Sequence, residues 1–199
     1  MTSKQRDPAL LVIDVQQAVV EGAVDVLGVL GRINTLLMRA RDLGTPVIFI
    51  QHEDPDDVEL RNGSPGWQLA DGLDYQENEP IVAKTYRDSF AQTTLNDLLK
   101  QYGAGRLIIT GAQSDYCVQT SALSALQHGY DVTLVSDAHT TCATGPDDGG
   151  IDGESVIDFI NGHFASLRHP SRSIEVLPAS KVTFQRRSVA APGAEGEVG

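Results

Sequence analysis

The chain has 199 residues, 41% of them hydrophobic, and a formal net charge of -12. That length and apolar content suffice for one domain with a full core and no disulfide or metal staples. The acidic balance excludes electrostatic attachment to nucleic acid or to an anionic membrane surface. Two cysteines, Cys117 and Cys142, make no disulfide framework and suit a reduced compartment. The polar opening MTSKQRDPAL lacks the apolar segment of a secretory signal, and no apolar run approaches the ~20 residues that span a bilayer. The expectation is a cytoplasmic protein with a small-molecule substrate as partner and neither nucleic acid nor membrane.

In chain order, Ala9 to Asp14 is a continuous apolar run ending in a carboxylate, the pattern of a strand buried on both faces of a parallel sheet. Val26, Leu27, Leu30, Ile33, Leu36, Leu37, Ala40 and Leu43 then recur at helical spacing, closed by Gly44, Thr45 and Pro46. Val47 to Ile50 is a second strand. Residues 51–80 are acidic and rich in Gly, Pro and Asn around isolated Trp67 and Leu69, a long excursion of the kind that often carries function. Ile81 to Lys84 is a short extended segment, Thr94 to Tyr102 a helix, and Arg106 to Thr110 a buried strand. A helix carrying Ala122, Leu123, Ala125 and Leu126 ends at His128 and Gly129. Val132 to Ser136, a helix near Glu154 to Leu167 and a strand at Ile174 to Leu177 complete the alternation. This βαβα order implies a parallel sheet with helices on both faces. One domain over residues 1–187 is expected, with a small, Gly-rich tail over 188–199 read as disordered.

Ligands of open parallel sheets bind beyond the carboxyl ends of the strands, where Asp14, Lys84 and Cys117 stand. Cys117 follows the turn Gly111 to Tyr116 and falls in the first turn of the next helix, where free N–H groups and the helix dipole favour a thiolate. Alone, it reads equally well as a small buried hydrophobe, Asp14 as a helix cap and Lys84 as a solvated loop charge. Together, a carboxylate and a cation at one rim are costly to leave unpaired, and between them a thiol has a general base and a stabilising charge.

Leu11 to Gln16 (LVIDVQ), Ala83 and Lys84 followed by Ser89 and Phe90, and Gly111 to Val118 (GAQSDYCV) resemble, in order, the three signature blocks of the isochorismatase-like cysteine hydrolases. Val135 to His139 (VSDAH) is similar to the family's next strand end. The resemblance implies a three-layer α/β/α sandwich with a central parallel sheet of about six strands, and a homodimer or higher homo-oligomer. It also implies a catalytic triad of Asp14, Lys84 and Cys117, a cis peptide at Ala112–Gln113, and an oxyanion hole formed by the backbone N–H groups of Gln113 and Cys117. The implied chemistry is attack of Cys117 on an amide-like carbonyl, with Asp14 moving the proton. Gln16, Val19, Ala112 and Gln113 are expected around the substrate. Trp67 either closes the pocket from the long loop or anchors that loop.

The sequence departs from the family in two places. Nicotinamidase members carry a metal site of an aspartate and closely spaced histidines after the second strand, whereas here the next histidine after His52 is His128, so no metal and no cofactor is expected. His52 reads as a loop or pocket-wall hydrogen-bonding residue, Asp54 to Asp57 as a solvated loop, and Asp147 to Asp152 lacks the spacing of an EF-hand. Where the family's first block continues to an aromatic residue, Val19 stands, which predicts a wider pocket for a larger polar amide or lactam. Two other functions remain open: vinyl-ether cleavage by Asp14 without a covalent step, and non-catalytic ligand binding on the same fold. A dinucleotide fold fits worst, because Gly103 and Gly105 precede a strand and no Gly-rich turn follows Asp14.

Overall fold

The computed structural model describes residues 7–142 and 150–184. The tail at 188–199, the boundary at 187 and positions 147–149 of the acidic stretch lie outside them. The described residues form strands β1 (Pro8–Ile13), β2 (Val47–His52), β3 (Ile81–Lys84), β4 (Arg106–Ala112), β5 (Asp131–Thr140) and β6 (Ile174–Leu177). The helices are α1 (Gln17–Val20), α2 (Val26–Asp42), α3 (Leu95–Gln101), α4 (Gln119–Gln127) and α5 (Gly153–Ser166).

All six strands pair in parallel, in the order β3-β2-β1-β4-β5-β6. Side chains alternate across a strand, so β1 sends Ala9, Leu11 and Ile13 to one layer and Leu10 and Val12 to the other. The first layer meets α3, α4 and α5 through Leu95, Leu99, Ala122, Leu126, Ile160 and Phe164. The second meets α2, whose stripe of Val29, Leu30, Ile33, Leu36, Leu37 and Ala40 is buried. Each large aliphatic side chain removed from water contributes roughly 1.5–3 kcal/mol. The result is the expected three-layer α/β/α sandwich. Residues 179–184 fold over the second layer, where Arg39 donates to the carbonyls of Ala179 and Val182 and Arg106 to that of Thr183.

From β1 the strand order runs through β2 to β3 on one side and through β4 and β5 to β6 on the other. The carboxyl ends of β1 and β4 therefore flank the point where the winding reverses, the usual ligand crevice of open α/β sheets. Two backbone features shape that crevice. Asp14 takes φ 48, a left-handed conformation that aspartate tolerates better than most residues, and it ends β1 at the crevice. Gly111, at φ 120, sits opposite Ile13, and a Cβ placed there would lie 2.0 Å from the Ile13 carbonyl oxygen. The register of β4 on β5 shifts between Ile109 and Gly111, after which Gly111 and Ala112 pair with His139 and Thr140. Strand β5 thus runs past its expected end at Ser136 to Thr140.

The same chemical change has opposite effects at two glycines. Gly111→Ala should cost about 3 kcal/mol or more, since backbone must move against backbone at a positive φ. Gly31→Ala, inside α2 with nothing within 4 Å of the added carbon, should stabilise by about 0.5–1 kcal/mol. Denaturant midpoints of the two variants check this, and shifts of one sign at both would contradict it.

Candidate active site

The register of β2 on β3 sets His52 beside Lys84, and β1 brings Asp14 to the same rim. The Lys84 ammonium lies 2.6 Å from Asp14 Oδ2, and both side chains are essentially sealed from water, at 0% and 1% exposure. The same nitrogen donates to Cys117 Sγ at 3.3 Å and lies 3.3 Å from His52 Nδ1. An ammonium has three protons and no acceptor, so the three contacts use all its donors. His52 Nδ1 must then accept, which puts the proton of the neutral ring on Nε2. Burial, with the Lys84 charge next, pushes His52 below its ordinary value and keeps the ring neutral.

Cys117 lies in a single π-helical turn, Ser114–Val118, that leads from β4 into α4. The peptide Ala112–Gln113 before that turn is cis. The turn is held from below by a buried relay. Ser114 Oγ lies 2.7 Å from His139 Nδ1, His139 Nε2 lies 3.1 Å from Asn161 Oδ1, and Asn161 Nδ2 donates to the Ser136 carbonyl at 3.0 Å. That last bond orients the Asn161 amide, so His139 donates from Nε2 and accepts the Ser114 hydroxyl at Nδ1. Burial pushes His139 below its ordinary value, consistent with the neutral ring.

The electrostatics correct one expectation. Burial, and after it the Asp14 charge, pushes the Cys117 thiol up to about 12, so the free protein holds a thiol rather than the thiolate the helix start and the cation suggest. Burial outweighs the Lys84 charge at Asp14 as well and raises its carboxyl above the ordinary value. A reaction at this sulfur would therefore need the thiol's proton to leave, and Asp14 lies beside it.

A cavity of about 240 Å³ opens on this cluster, lined by Asp14, Ala18, Val19, His52, Leu60, Arg87, Gln113, Tyr116 and Cys117. It lies below the ~300–1,000 Å³ of pockets for drug-sized ligands. Val19 forms one part of its wall, and Leu60, Arg87 and Tyr116 arrive from elsewhere in the sequence. A depression of about 520 Å³ bounded by Leu43, Pro46, Tyr102 and Phe184 lies at the opposite end of the strands and has no cysteine in its lining.

Of the residues expected around a substrate, Val19 and Gln113 line the cavity, while Gln16, Trp67 and Ala112 do not. Gln16 is fully buried and acts as a clamp. Its Nε2 donates to the carbonyls of His52 at 2.9 Å and Trp67 at 2.8 Å, and its Oε1 accepts the His52 N–H at 2.8 Å. Gln51 also donates to the Trp67 carbonyl, so Trp67 ties the long loop to the ends of β1 and β2. Ala112 is sealed in the core at 0% exposure. The Gln113 amide is committed to the Val19 carbonyl at 3.2 Å and to Cys142 Sγ at 3.0 Å. Four wall residues, Ala18, Leu60, Arg87 and Tyr116, were not singled out in the sequence. For Arg87 and Tyr116 the available signal was a cationic and an aromatic residue close to Lys84 and Cys117. Among the described residues no three His, Cys, Asp or Glu side chains group to hold a metal, and no helix is long and apolar enough to cross a membrane.

Comparison with known proteins places this geometry. The family model described as Isochorismatase domain matches residues 8–153. Streptothricin hydrolase from Streptomyces noursei is 40% identical over 136 residues, covering 67% of this chain and 49% of that protein. The chain thus spans about half the length of that relative. Maleamate amidohydrolase from Pseudomonas putida is 27% identical over 66% of this chain and 71% of its own length. The crystal structure of an isochorismatase family protein superposes with a TM-score of 0.74 at 30% identity, over 85% of this chain and 97% of that one.

The protonated thiol makes a direct prediction. The alkylation rate of Cys117 by iodoacetamide in the free protein should keep rising between about pH 7 and 10, since only the thiolate reacts. Replacing Asp14 by Asn should move the curve to lower pH, because the repelling charge is gone. A rate already level near neutrality would mean a preformed thiolate.

Proposed function

Because the chain belongs to the isochorismatase family, matched from residue 8 to residue 153, we propose that it is a cysteine hydrolase that cleaves the C–N bond of a small amide, lactam or carbamoyl compound through an acyl-enzyme on Cys117. The observation that carries this reading is the buried Lys84 ammonium, in contact at once with Asp14, Cys117 and His52. That arrangement gives one thiol a base and a cation inside a cavity sized for a small molecule. The names of two relatives, a streptothricin hydrolase and a maleamate amidohydrolase, support hydrolysis.

In this reading Sγ of Cys117 attacks the carbonyl carbon while Asp14 takes the thiol proton. Lys84 remains charged and balances the negative charge that passes from carboxylate to sulfur and carbonyl oxygen. The backbone N–H groups of Gln113 and Cys117 receive the oxyanion. Asp14 then gives its proton to the leaving amine, the C–N bond breaks, and water, deprotonated by Asp14, releases the acid and restores the thiol. Vinyl-ether cleavage would need only Asp14 as an acid and would leave the thiol contacting Lys84 without a task.

A panel of small primary amides, lactams and carbamoyl compounds, assayed for ammonia or acid release, tests the proposal. Cys117→Ala should reduce kcat by about a thousandfold or more with an unchanged unfolding midpoint, and rapid quenching of the wild type should trap one acyl group on Cys117 by intact mass. Full activity in the alanine variant would end the cysteine route. Activity should survive exhaustive chelation. On the acid side, kcat/KM should fall as Asp14 gains its proton, at a midpoint above 3.8, the ordinary aspartate value. The base must be ionised, and burial makes it protonate sooner, so a midpoint below that value would rule Asp14 out as the base.

A further inference from the structure

The cavity wall holds one cation that the chemistry above does not use. Arg87 is exposed at the rim, and its guanidinium stands 4.1 Å from the centroid of the Tyr116 ring. Among the described residues that guanidinium has no hydrogen-bond or ion-pair partner. The nearest acid in sequence, Asp88, is engaged elsewhere: its oxygens accept from the Phe90 N–H and the Ser124 hydroxyl. The opposing charge in the cavity, on Asp14, is balanced at 2.6 Å by Lys84. Arg87 is therefore the uncompensated charge of the pocket, despite the chain's net -12.

We propose that Arg87, held over the Tyr116 ring and assisted by the Nε2–H of His52, is a carboxylate-binding, specificity-determining residue, and that the substrate is a short amide carrying a carboxylate. The inference rests on the hydrolase reading for its amide half, and on the cavity alone for its anion half. A stacked guanidinium keeps its fork of donors pointing outward and loses little freedom on binding, and this fork fits a carboxylate through two parallel bonds. The second donor follows from Lys84: with His52 Nδ1 turned to the ammonium, the ring offers its remaining N–H from the cavity wall. The wall's other amide, on Gln113, is already donating to Val19 and Cys142. The side-chain donors the wall has left for a polar group are thus the Arg87 guanidinium and the Nε2–H of His52.

The turn supplies the length selection. Tyr116 and Cys117 are consecutive residues of one π-helical turn, so the separation between the anion seat and the attacking sulfur is fixed by the backbone. With about 240 Å³ available, only a few carbons fit between the two ends.

Succinamate and succinamide test this as a matched pair, because a carboxylate and a carboxamide have nearly the same shape. Wild type should prefer succinamate in kcat/KM by about ten- to a hundredfold, the range of a charge-assisted pair. Arg87→Gln should erase that preference through KM with kcat kept, and Arg87→Lys should restore part of it. Succinate, which cannot be hydrolysed, should slow iodoacetamide labelling of Cys117 in wild type but not in Arg87→Gln. Unperturbed labelling of the variant without succinate shows that its site is folded. Equal turnover of both amides by wild type, or a preference that survives in Arg87→Gln, overturns the proposal. Protection by succinate that depends on Arg87, with neither amide hydrolysed, would uphold the anion site and count against the hydrolase reading instead. Absence of protection would remove the anion site.

Discussion

A lysine ammonium sealed from water is the constraint around which this molecule is arranged. Desolvating that charge costs several kcal/mol, repaid only when every donor finds a partner in good geometry. Lys84 meets the condition with a carboxylate at 2.6 Å and a thiol and an imidazole nitrogen at 3.3 Å each. The partners come from three other parts of the chain, two held by backbone and one by a side-chain relay. Asp14 is placed where β1 ends in a left-handed residue, His52 by strand register, Cys117 by a turn braced through Ser114, His139 and Asn161. Loss of any brace would leave a buried charge short of a partner, so folding and site geometry are enforced by the same energy.

The sheet topology explains why these pieces meet. Strands β1 and β4 diverge at their carboxyl ends only as far as Gly111 permits, since its missing Cβ is what lets β4 close on Ile13. Gln16 performs the corresponding task on the other side, where β1, β2 and the loop around Trp67 are joined through one amide. The crevice is thus bounded by a glycine on one flank and a buried glutamine on the other. Both act through the backbone, which leaves Ala18, Val19, Leu60, Arg87 and Tyr116 as the walls that set what enters.

Much of this was legible in the sequence, for identifiable reasons. Strands buried on both faces read as apolar runs, and the charged residue that ends each run marks the rim, so Asp14 and Lys84 stood out. The stripe of α2 is periodic enough to be found within a residue or two of its ends. The last residues of β5, SDAHT, are polar and hide a strand end that resumes pairing with β4 only after a register shift whose extra residues lie on β5. Gln16 looked like a substrate ligand because sequence gives its place in a signature block but not the direction of its side chain. Arg87 stayed hidden because an arginine in a loop ordinarily faces solvent, and only the three-dimensional placement of Tyr116 turns it toward the pocket. Pocket width is not legible at Val19 alone for a related reason: a cavity is the sum of walls from several segments.

The pairing of a raised thiol with a raised carboxyl has a chemical logic. A preformed thiolate is available at once, but it is a weaker nucleophile for its lowered pKa, and its proton is already lost to solvent when an amine leaving group needs one. In this cluster burial raises both Cys117 and Asp14, so in the proposed mechanism the proton would stay within the site, between two groups that both hold it more tightly than water-exposed counterparts. Lys84 contacts both, so each transfer in the proposed mechanism would shift negative charge between neighbours of one cation instead of creating it anew. In that mechanism the same desolvation that holds the resting thiol protonated is what would keep its proton on hand for the leaving group.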